Sequence, residues 1–315
     1  MRMSYLFCSI LTLSIGVCSQ FSCTYASHFE ISRTSPSLSV IPLENLSDLS
    51  VDPSQAEISK QLVERYLEKY QLQSNVQKGS TLKLVKTIPM KTYKKNFDAA
   101  ILEIGSFGNS LWGIEWDTLI TSDYLVQINP KTGKILKHFP CPGTPAQSVG
   151  LGVSKTDLWV TVNNYPDSAI YQVDQKSGRI KKPYKVKKDP NTVAVINGGA
   201  IDKNGNFWFG QWDLSGDSKV YELDPSTGKI KQVLKISNAS LIFDLAFDAN
   251  GFLYTTIETP DIKFLILKID PVNLKVKNKY EVKPKETSLA FLGNQLMTAY
   301  FLGIEKKYFL YKAPK

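Results

Sequence analysis

Cysteine and histidine are scarce in this sequence of 315 residues, which contains 4 cysteines and 2 histidines. Three of the cysteines fall within residues 1–26, so only Cys141 remains in the rest of the chain, where no intramolecular disulfide can form. His28 and His138 lie far apart, and no zinc-type spacing of cysteine and histidine occurs. These absences exclude a zinc site with such ligands and an acid–base pair of histidines.

Catalytic motifs and long apolar runs are lacking too. No G-x-S-x-G sequence and no phosphate-binding loop occurs. The run from Tyr5 to Val17 is too short to cross a membrane, and no later stretch approaches a spanning length. This run follows Arg2 and precedes Thr24-Tyr25-Ala26, a pattern typical of a secretory signal peptide over residues 1–26. We therefore expect a secreted or periplasmic protein without a transmembrane segment.

Carboxylates are outnumbered by basic residues, and the formal net charge is +9. Such a charge favours acidic partners only weakly. The densest basic stretch, residues 181–188, is predicted below to be the outermost strand of a sheet, where lysine blocks pairing with other strands. It contains one aromatic residue, Tyr184, and not the series of interleaved aromatic residues that stacks on successive bases. We therefore do not expect nucleic acid as a partner.

Four segments repeat one pattern, in which an alternating apolar strand ends at Asp or Asn and a polar turn follows. The aligned residues are roughly 45–50 positions apart, a period that with strand-like units is typical of a β-propeller. The segments are Tyr124–Ile135 (YLVQINPKTGKI), Ile170–Ile180 (IYQVDQKSGRI), Val220–Ile230 (VYELDPSTGKI) and Leu265–Val276 (LILKIDPVNLKV).

Each repeat unit divides into four predicted strands, of which the pattern above is the third. The second strand carries a large residue at a fixed place, which we expect to pack between neighbouring blades: Trp112, Trp159, Trp208, Tyr254 and Met297. The last unit ends without a fourth strand, while a spare strand lies ahead of the first unit at Thr81–Met90. Pairing of that strand with the last unit would remove both exposed sheet edges. We therefore predict an all-β fold, with five four-stranded blades over residues 81–315.

Residues 27–80 are predicted to be an N-terminal extension with one amphipathic helix over residues 53–72. Asp52 is a good N-cap, and Pro53 suits the first helical position. Ile58, Leu62, Tyr66 and Tyr70 recur on one face of this helix. The face either packs against the propeller, which we favour, or docks on a partner. Residues 27–51 are expected to be irregular.

One face of the predicted propeller, which we call the top face, gathers the loops before each first strand and after each second strand. Oxygen-bearing and aromatic residues dominate there, which suits a small polar ligand, a glycan, a protein or a hard cation such as Ca²⁺. Asp117, Asn164 and Asp213 share one repeat position, which favours a role in turns. The predicted ligand-binding residues are Glu115, Trp116, Asn163, Gln211, Trp212, Glu258 and Tyr300.

Two segments, Ile196–Asp213 (INGGAIDKNGNFWFGQWD) and Phe243–Glu258 (FDLAFDANGFLYTTIE), resemble the repeat of NHL-like β-propellers. That group includes the gluconolactonase (senescence-marker) family and the virginiamycin B lyase family. Resemblance to the first implies a divalent metal bound by Asn197 and Asp244, with Asp98 or Glu103 as a loose match to a further acidic ligand. The second relies on a catalytic histidine, whereas the repeat region here contains only His138.

The leading functional hypothesis is an exported binding module that uses the channel at its top face. One alternative is a metal-dependent hydrolase of the gluconolactonase type, which would need a divalent cation as cofactor. A second alternative is an envelope or host-interaction protein that uses the helix over residues 53–72.

Overall fold

The computed structural model describes twelve stretches of the chain: 31–34, 38–42, 82–93, 99–116, 123–143, 148–163, 168–188, 195–212, 217–261, 263–282, 286–300 and 307–312. These residues form 22 β-strands and contain no helix. The predicted signal peptide and the predicted helix over residues 53–72 lie outside them and stay predictions. No helix in the described part is long and apolar enough to cross a membrane.

Twenty of the strands form five blades of four antiparallel strands, as the repeats predict. Blade 1 contains β4 (Ala100–Phe107), β5 (Ser110–Trp116), β6 (Asp123–Ile128) and β7 (Ile135–Pro140). Blade 2 contains β8 (Ser148–Val153), β9 (Asp157–Asn163), β10 (Ser168–Asp174) and β11 (Ile180–Lys188). Blade 3 contains β12 (Val195–Ile201), β13 (Phe207–Trp212), β14 (Ser218–Asp224) and β15 (Lys229–Ile236).

Blades 4 and 5 complete the ring. Blade 4 contains β16 (Leu241–Phe247), β17 (Leu253–Glu258), β18 (Phe264–Asp270) and β19 (Lys275–Glu281). Blade 5 contains β20 (Glu286–Leu292), β21 (Gln295–Tyr300), β22 (Lys307–Lys312) and, as its outer strand, β3 (Leu84–Pro89). The innermost strands β4, β8, β12, β16 and β20 contact one another in that order, and β20 contacts β4.

The ring is closed by the spare N-terminal strand, which confirms the prediction. Strand β3 pairs antiparallel with β22, with Thr87 opposite Phe309 and Ile88 opposite Tyr308. Ile88 is buried in a cluster that also holds Ile104 of blade 1 and Met297 of blade 5. This pairing joins the first and the last strand of the propeller in one sheet.

Two short strands ahead of the propeller were not foreseen. β1 (Ile31–Arg33) pairs with the outer strand of blade 3, and β2 (Leu38–Pro42) pairs with the outer strand of blade 2. Val40 is buried against Trp159 and Tyr184 of blade 2. The expectation that residues 27–51 are irregular is therefore wrong at these strands, because the free outer edges of two blades offer backbone partners to an extended segment.

The core lies between the blades, as the repeated large residues predict. Trp159 of blade 2 stacks against Phe207 of blade 3, with ring centroids 5.4 Å apart. Trp208 contacts Phe247 of blade 4 edge-on at 5.4 Å. The repeated Asp residues cap turns: the Asp174 carboxylate accepts hydrogen bonds from the backbone N–H groups of Lys176 and Ser177. The pattern that identifies the propeller is therefore scaffold.

Candidate functional site

The innermost strands share one structural irregularity at the same level of the channel. In blades 1, 2, 4 and 5 an extra residue interrupts the pairing of the first strand with the second, and in blade 3 Gly198 and Gly199 do so. Such β-bulges re-aim the neighbouring side chains. One first-strand residue of each blade lies at this level, and we call the five the polar layer: Glu103, Gly150, Asn197, Asp244 and Ser288. In the same order, their partners in the second strands are Ile114, Thr161, Gly210, Thr256 and Ala299.

Asp244 binds the backbones of three blades from within this layer. Its Oδ1 accepts hydrogen bonds from the N–H groups of Leu245 (2.7 Å) and Gly199 (3.4 Å). Its Oδ2 accepts hydrogen bonds from the N–H of Leu289 (2.7 Å) and from the hydroxyl of Ser288 (3.0 Å). The inner edges of first strands have no strand partner, so this buried carboxylate takes the place of one. Asp244 therefore fastens blades 3, 4 and 5 together.

Glu103 meets Asp244 in the channel, together with Ser288. Only 6% of its surface is exposed, and the charge of Asp244 lies close enough to raise the pKa of Glu103. The hydroxyl of Ser288 accepts a hydrogen bond from the N–H of Ile104, 2.7 Å away. One oxygen of Glu103, Oε2, is buried without a hydrogen-bond partner.

Burial favours a protonated carboxyl group in this layer, because the pKa values of both Glu103 and Asp244 are raised. Burial, followed by the charge of Asp244, raises the pKa of Glu103 well above its ordinary value. Burial raises the pKa of Asp244 to about 7, opposed by its hydrogen bonds to backbone and hydroxyl donors. Because four donors favour the ionised form of Asp244, we assign the proton to Glu103. A buried pair of this kind is also a common arrangement for acid–base chemistry.

The opposite side of the layer is closed by backbone. A β-carbon on Gly150 would lie 2.2 Å from the carbonyl oxygen of Gly198, and one on Gly199 would lie 2.9 Å from the backbone nitrogen of Gly152. Only glycine lets blades 2 and 3 approach this closely.

A small cavity lies below the polar layer, where the first strands end; we call this side the bottom face. Its free volume is about 40 Å³, and residues of all five first strands line it, among them Ser106, Leu151, Ala200, Leu245 and Phe291. Because one water occupies about 30 Å³ and small-molecule sites occupy ~300 Å³ or more, this cavity suits water rather than an organic ligand.

Two predicted ligand-binding residues join neighbouring blades. The Trp116 indole N–H donates to the carbonyl of Ser148 in blade 2 at 3.0 Å. The Asn163 amide donates to the carbonyl of Ile196 in blade 3 at 2.8 Å and accepts from its N–H at 3.1 Å, which reproduces the hydrogen bonds of a strand partner. Both side chains are buried, so the structure gives them a scaffold role.

Asn197, a predicted metal ligand, lies in the polar layer with Glu103 and Asp244. Its amide group donates to the carbonyl of Ile242 in blade 4 at 3.1 Å, whereas its Oδ1 atom is buried without a partner. The structure thus brings Asn197 and Asp244 together at one level, as the resemblance implies, and adds Glu103.

The other predicted residues lie at other positions of their strands or outside the described residues. The Glu115 carboxylate accepts a hydrogen bond from the N–H of Tyr93 at 2.5 Å, and the Gln211 carbonyl accepts one from the hydroxyl of Tyr221. Glu258 is buried at the end of β17. Trp212 and Tyr300 end β13 and β21, and the structure describes only their backbone. Asp98, Asp117, Asn164 and Asp213 lie outside the described residues.

A divalent cation fits this layer incompletely. Glu103 and Asn197 each keep one unpartnered oxygen, but the four donors on Asp244 occupy both of its oxygens. No group of three histidine, cysteine, aspartate or glutamate side chains gathers as a metal site in the described part of the chain. Calcium needs six to eight oxygen ligands, so the set found here does not build a calcium site by itself.

Sequence reasoning treated Glu103 only as a loose match and missed Ser288. Both occur in first strands, AILEIGSF and ETSLAFL, that mix a few polar residues with apolar ones, so neither residue stands out in the sequence.

No family model and no curated protein matches this chain. Solved structures similar to it include glutaminyl cyclase from Myxococcus xanthus, with TM-score 0.50 and 11% identity over 73% of this chain and 97% of that chain. The calcium-binding protein regucalcin from Agrobacterium tumefaciens is similar with TM-score 0.44 and 11% identity over 75% and 97%. A luciferin-regenerating enzyme is similar with TM-score 0.42 and 15% identity over 72% and 95%. At these identities the likeness shows the fold alone.

Proposed function

We propose that this protein is a binding module whose channel receives, from the top face, a small hydrogen-bond donor group such as a hydroxyl of a glycan. The observation that carries this proposal is the pair of buried oxygens without a partner, Glu103 Oε2 and Asn197 Oδ1. A buried acceptor without a hydrogen bond costs about 1–3 kcal/mol of stability, so a hydrogen bond donated by water or by a ligand stabilises the folded protein. No nucleophile–base pair among the described residues accompanies these oxygens, which favours binding over covalent chemistry.

The test is a thermal-shift titration of the full chain with a panel of monosaccharides and polyols. We expect at least one of them to raise the melting temperature, and both Glu103→Leu and Asn197→Leu to abolish that rise, because each removes one of the two buried oxygens. Ser106→Ala is the matched control, because Ser106 lies in the channel below the polar layer. If the panel gives no rise, or if the rise survives both substitutions, the proposal fails.

The second candidate is the metal-dependent hydrolase of the gluconolactonase type, with Ca²⁺ or another divalent cation. It is favoured by one observation: Glu103, Asn197 and Asp244 share one layer. Its test is the hydrolysis of an aldonolactone by the full chain with and without added Ca²⁺, Mg²⁺ or Zn²⁺. If this candidate is correct, we expect cation-dependent turnover that Glu103→Gln removes. We also expect the cation to raise the melting temperature. Absence of both would leave the binding module alone.

A further inference from the structure

The outer strands of all five blades carry a second, shared irregularity. In each of them one extra residue bulges out of the pairing with the third strand, near the bottom face. The bulged residues, in the order of blades 1 to 5, are Leu136, Lys181, Lys231, Lys277 and Val85.

In blades 2, 3 and 4 the bulged residue is a lysine that pairs with a carboxylate of its own blade. Lys181 lies 2.5 Å from Asp157 and 3.3 Å from Asp174. Lys231 lies 3.6 Å from Glu222. Lys277 lies 3.5 Å from Asp270, which ends the third strand as Asp174 does. A charged residue at this place neutralises the turn and guards the sheet edge.

Blades 5 and 1, which are neighbours in the ring, depart from this rule on both sides of the ion pair. The lysine is replaced by Val85 and Leu136, which are 53% and 56% exposed. The aspartate that ends the third strand is replaced by Lys312 in blade 5 and by Asn129 in blade 1. The two adjacent blades have thus lost the acid and gained exposed apolar surface, while three others keep the pair.

Further exposed apolar residues lie on the same face. Leu84 precedes Val85 and is 49% exposed, Phe107 ends the first strand of blade 1 and is 49% exposed, and Val272 in the turn of blade 4 is 75% exposed. All of these exposed apolar residues lie at the bottom ends of strands or in the turns there. Blades 4, 5 and 1, which follow one another in the ring, therefore expose them on the bottom face. We call these five residues the bottom apolar rim: Leu84, Val85, Phe107, Leu136 and Val272.

Exposed lysines surround the rim in blades 5 and 1: Lys83, Lys86, Lys131, Lys134 and Lys312. Lys86 in β3 of blade 5 donates to the carbonyl of Lys131, in the turn that follows β6 of blade 1, at 3.4 Å. No ion pair joins these five lysines to a carboxylate in the described part of the chain.

We propose that the bottom apolar rim docks on an anionic lipid surface, with the apolar side chains inserted between headgroups and the lysines on the acidic lipids. Separate apolar residues at the ends of several strands match a flat partner better than a helix, which needs one continuous groove. Lysines beside inserted apolar residues supply the charge complementarity that such a surface recognises. The site is distinct from the polar layer, because it lies on the opposite face.

The test is sedimentation of the full chain with vesicles of pure phosphatidylcholine and with vesicles that also contain phosphatidylglycerol. We expect binding only to the second kind, weakened by salt. The double variant Val85→Ser with Leu136→Ser should bind on the order of tenfold more weakly, because it removes inserted apolar area and no charge. Tyr93→Ser is the control, since Tyr93 is an exposed aromatic residue that follows β3 and stacks on His138 of blade 1, away from the bottom face.

A second double variant, Val85→Lys with Leu136→Lys, separates insertion from charge alone. It restores the lysine of blades 2 to 4 and adds two positive charges, so binding by charge alone would become tighter. We expect it to bind more weakly than the wild-type chain. Tighter binding of this variant, unchanged binding of the serine variant, or no binding of the wild-type chain to phosphatidylglycerol vesicles would overturn the proposal. Unchanged melting temperatures verify that both variants are folded.

Discussion

The carboxylate of Asp244 in blade 4 accepts a hydrogen bond from the backbone N–H of Leu289 in blade 5, 2.7 Å away in the middle of the channel. The bond replaces a missing strand partner at the inner edge of blade 5. With its bonds to Gly199 and Ser288, it makes the channel of this propeller a closed, hydrogen-bonded centre rather than an open pore.

Loss of this carboxylate is expected to destabilise the whole ring. Asp244→Ala leaves three backbone N–H groups and one hydroxyl without their acceptor, so we expect a loss of roughly 3–5 kcal/mol in the free energy of unfolding. Urea denaturation measures it. Asp217→Ala is the comparison, because Asp217 forms a partly exposed ion pair with Lys235 and should cost about 1 kcal/mol or less. Equal losses for the two variants would refute the role given to Asp244.

The carboxyl pair also predicts the direction of a pH dependence. The pKa values of Glu103 and Asp244 are raised from the ordinary 4.5 and 3.8, for Asp244 to about 7, chiefly by burial. The folded state therefore binds more protons than the unfolded chain, and stability should fall as the pH rises from 3.8 through about 7. Denaturation midpoints over that range measure it. Glu103→Gln should flatten the profile, and a wild-type stability that increases with pH would contradict the assignment.

Glycine at position 150 is expected to be indispensable for a steric reason. The β-carbon of Gly150→Ala would meet the carbonyl oxygen of Gly198 at 2.2 Å, so blade 2 would have to move away from blade 3. We expect a loss of ~3 kcal/mol or more in unfolding free energy. Gly108→Ala is the matched control, because Gly108 has a positive φ of 59° but open space around it, and should cost about 1 kcal/mol. Similar melting temperatures for the two variants would argue against direct backbone contact.

The Asn163 side chain is expected to matter for stability and not for ligand binding. Asn163→Leu removes two hydrogen bonds to the backbone of Ile196, and the unmade groups should cost about 2 kcal/mol. The same variant should leave any sugar-dependent rise in melting temperature unchanged. A variant of full stability that loses that rise would return Asn163 to the ligand site.

Sequence reasoning reached the scaffold because the repeats encode it directly. The Asp or Asn that ends four of the third strands, the large residue of each second strand and the spare strand at Thr81–Met90 predict the blades, their packing and their closure. The strands β1 and β2 escaped prediction, because three and five residues without a repeat carry little signal. The outer edges of blades 3 and 2, with which β1 and β2 pair, exist only once those blades have formed.

The site was predicted less well, for two physical reasons. Neighbouring side chains of one strand point to opposite sides, so Glu115 and Trp116 contact different blades although both end β5. The bulges that bring Glu103, Asp244 and Ser288 to one level leave no mark in the sequence. The position of a residue near the top face therefore did not reveal whether its polar group forms hydrogen bonds between blades or keeps an oxygen without a partner.

Closure of the ring by its own N-terminal strand is the central claim, and an engineered disulfide tests it most directly. Thr87→Cys with Phe309→Cys, in a Cys141→Ser background, joins residues that lie opposite each other in β3 and β22. We predict that this disulfide forms in air and stabilises the chain by roughly 2–4 kcal/mol. Thr87→Cys with Leu310→Cys should not form one, because Leu310 points to the other side of the sheet. A disulfide in the second variant and none in the first would contradict the five-bladed ring described here.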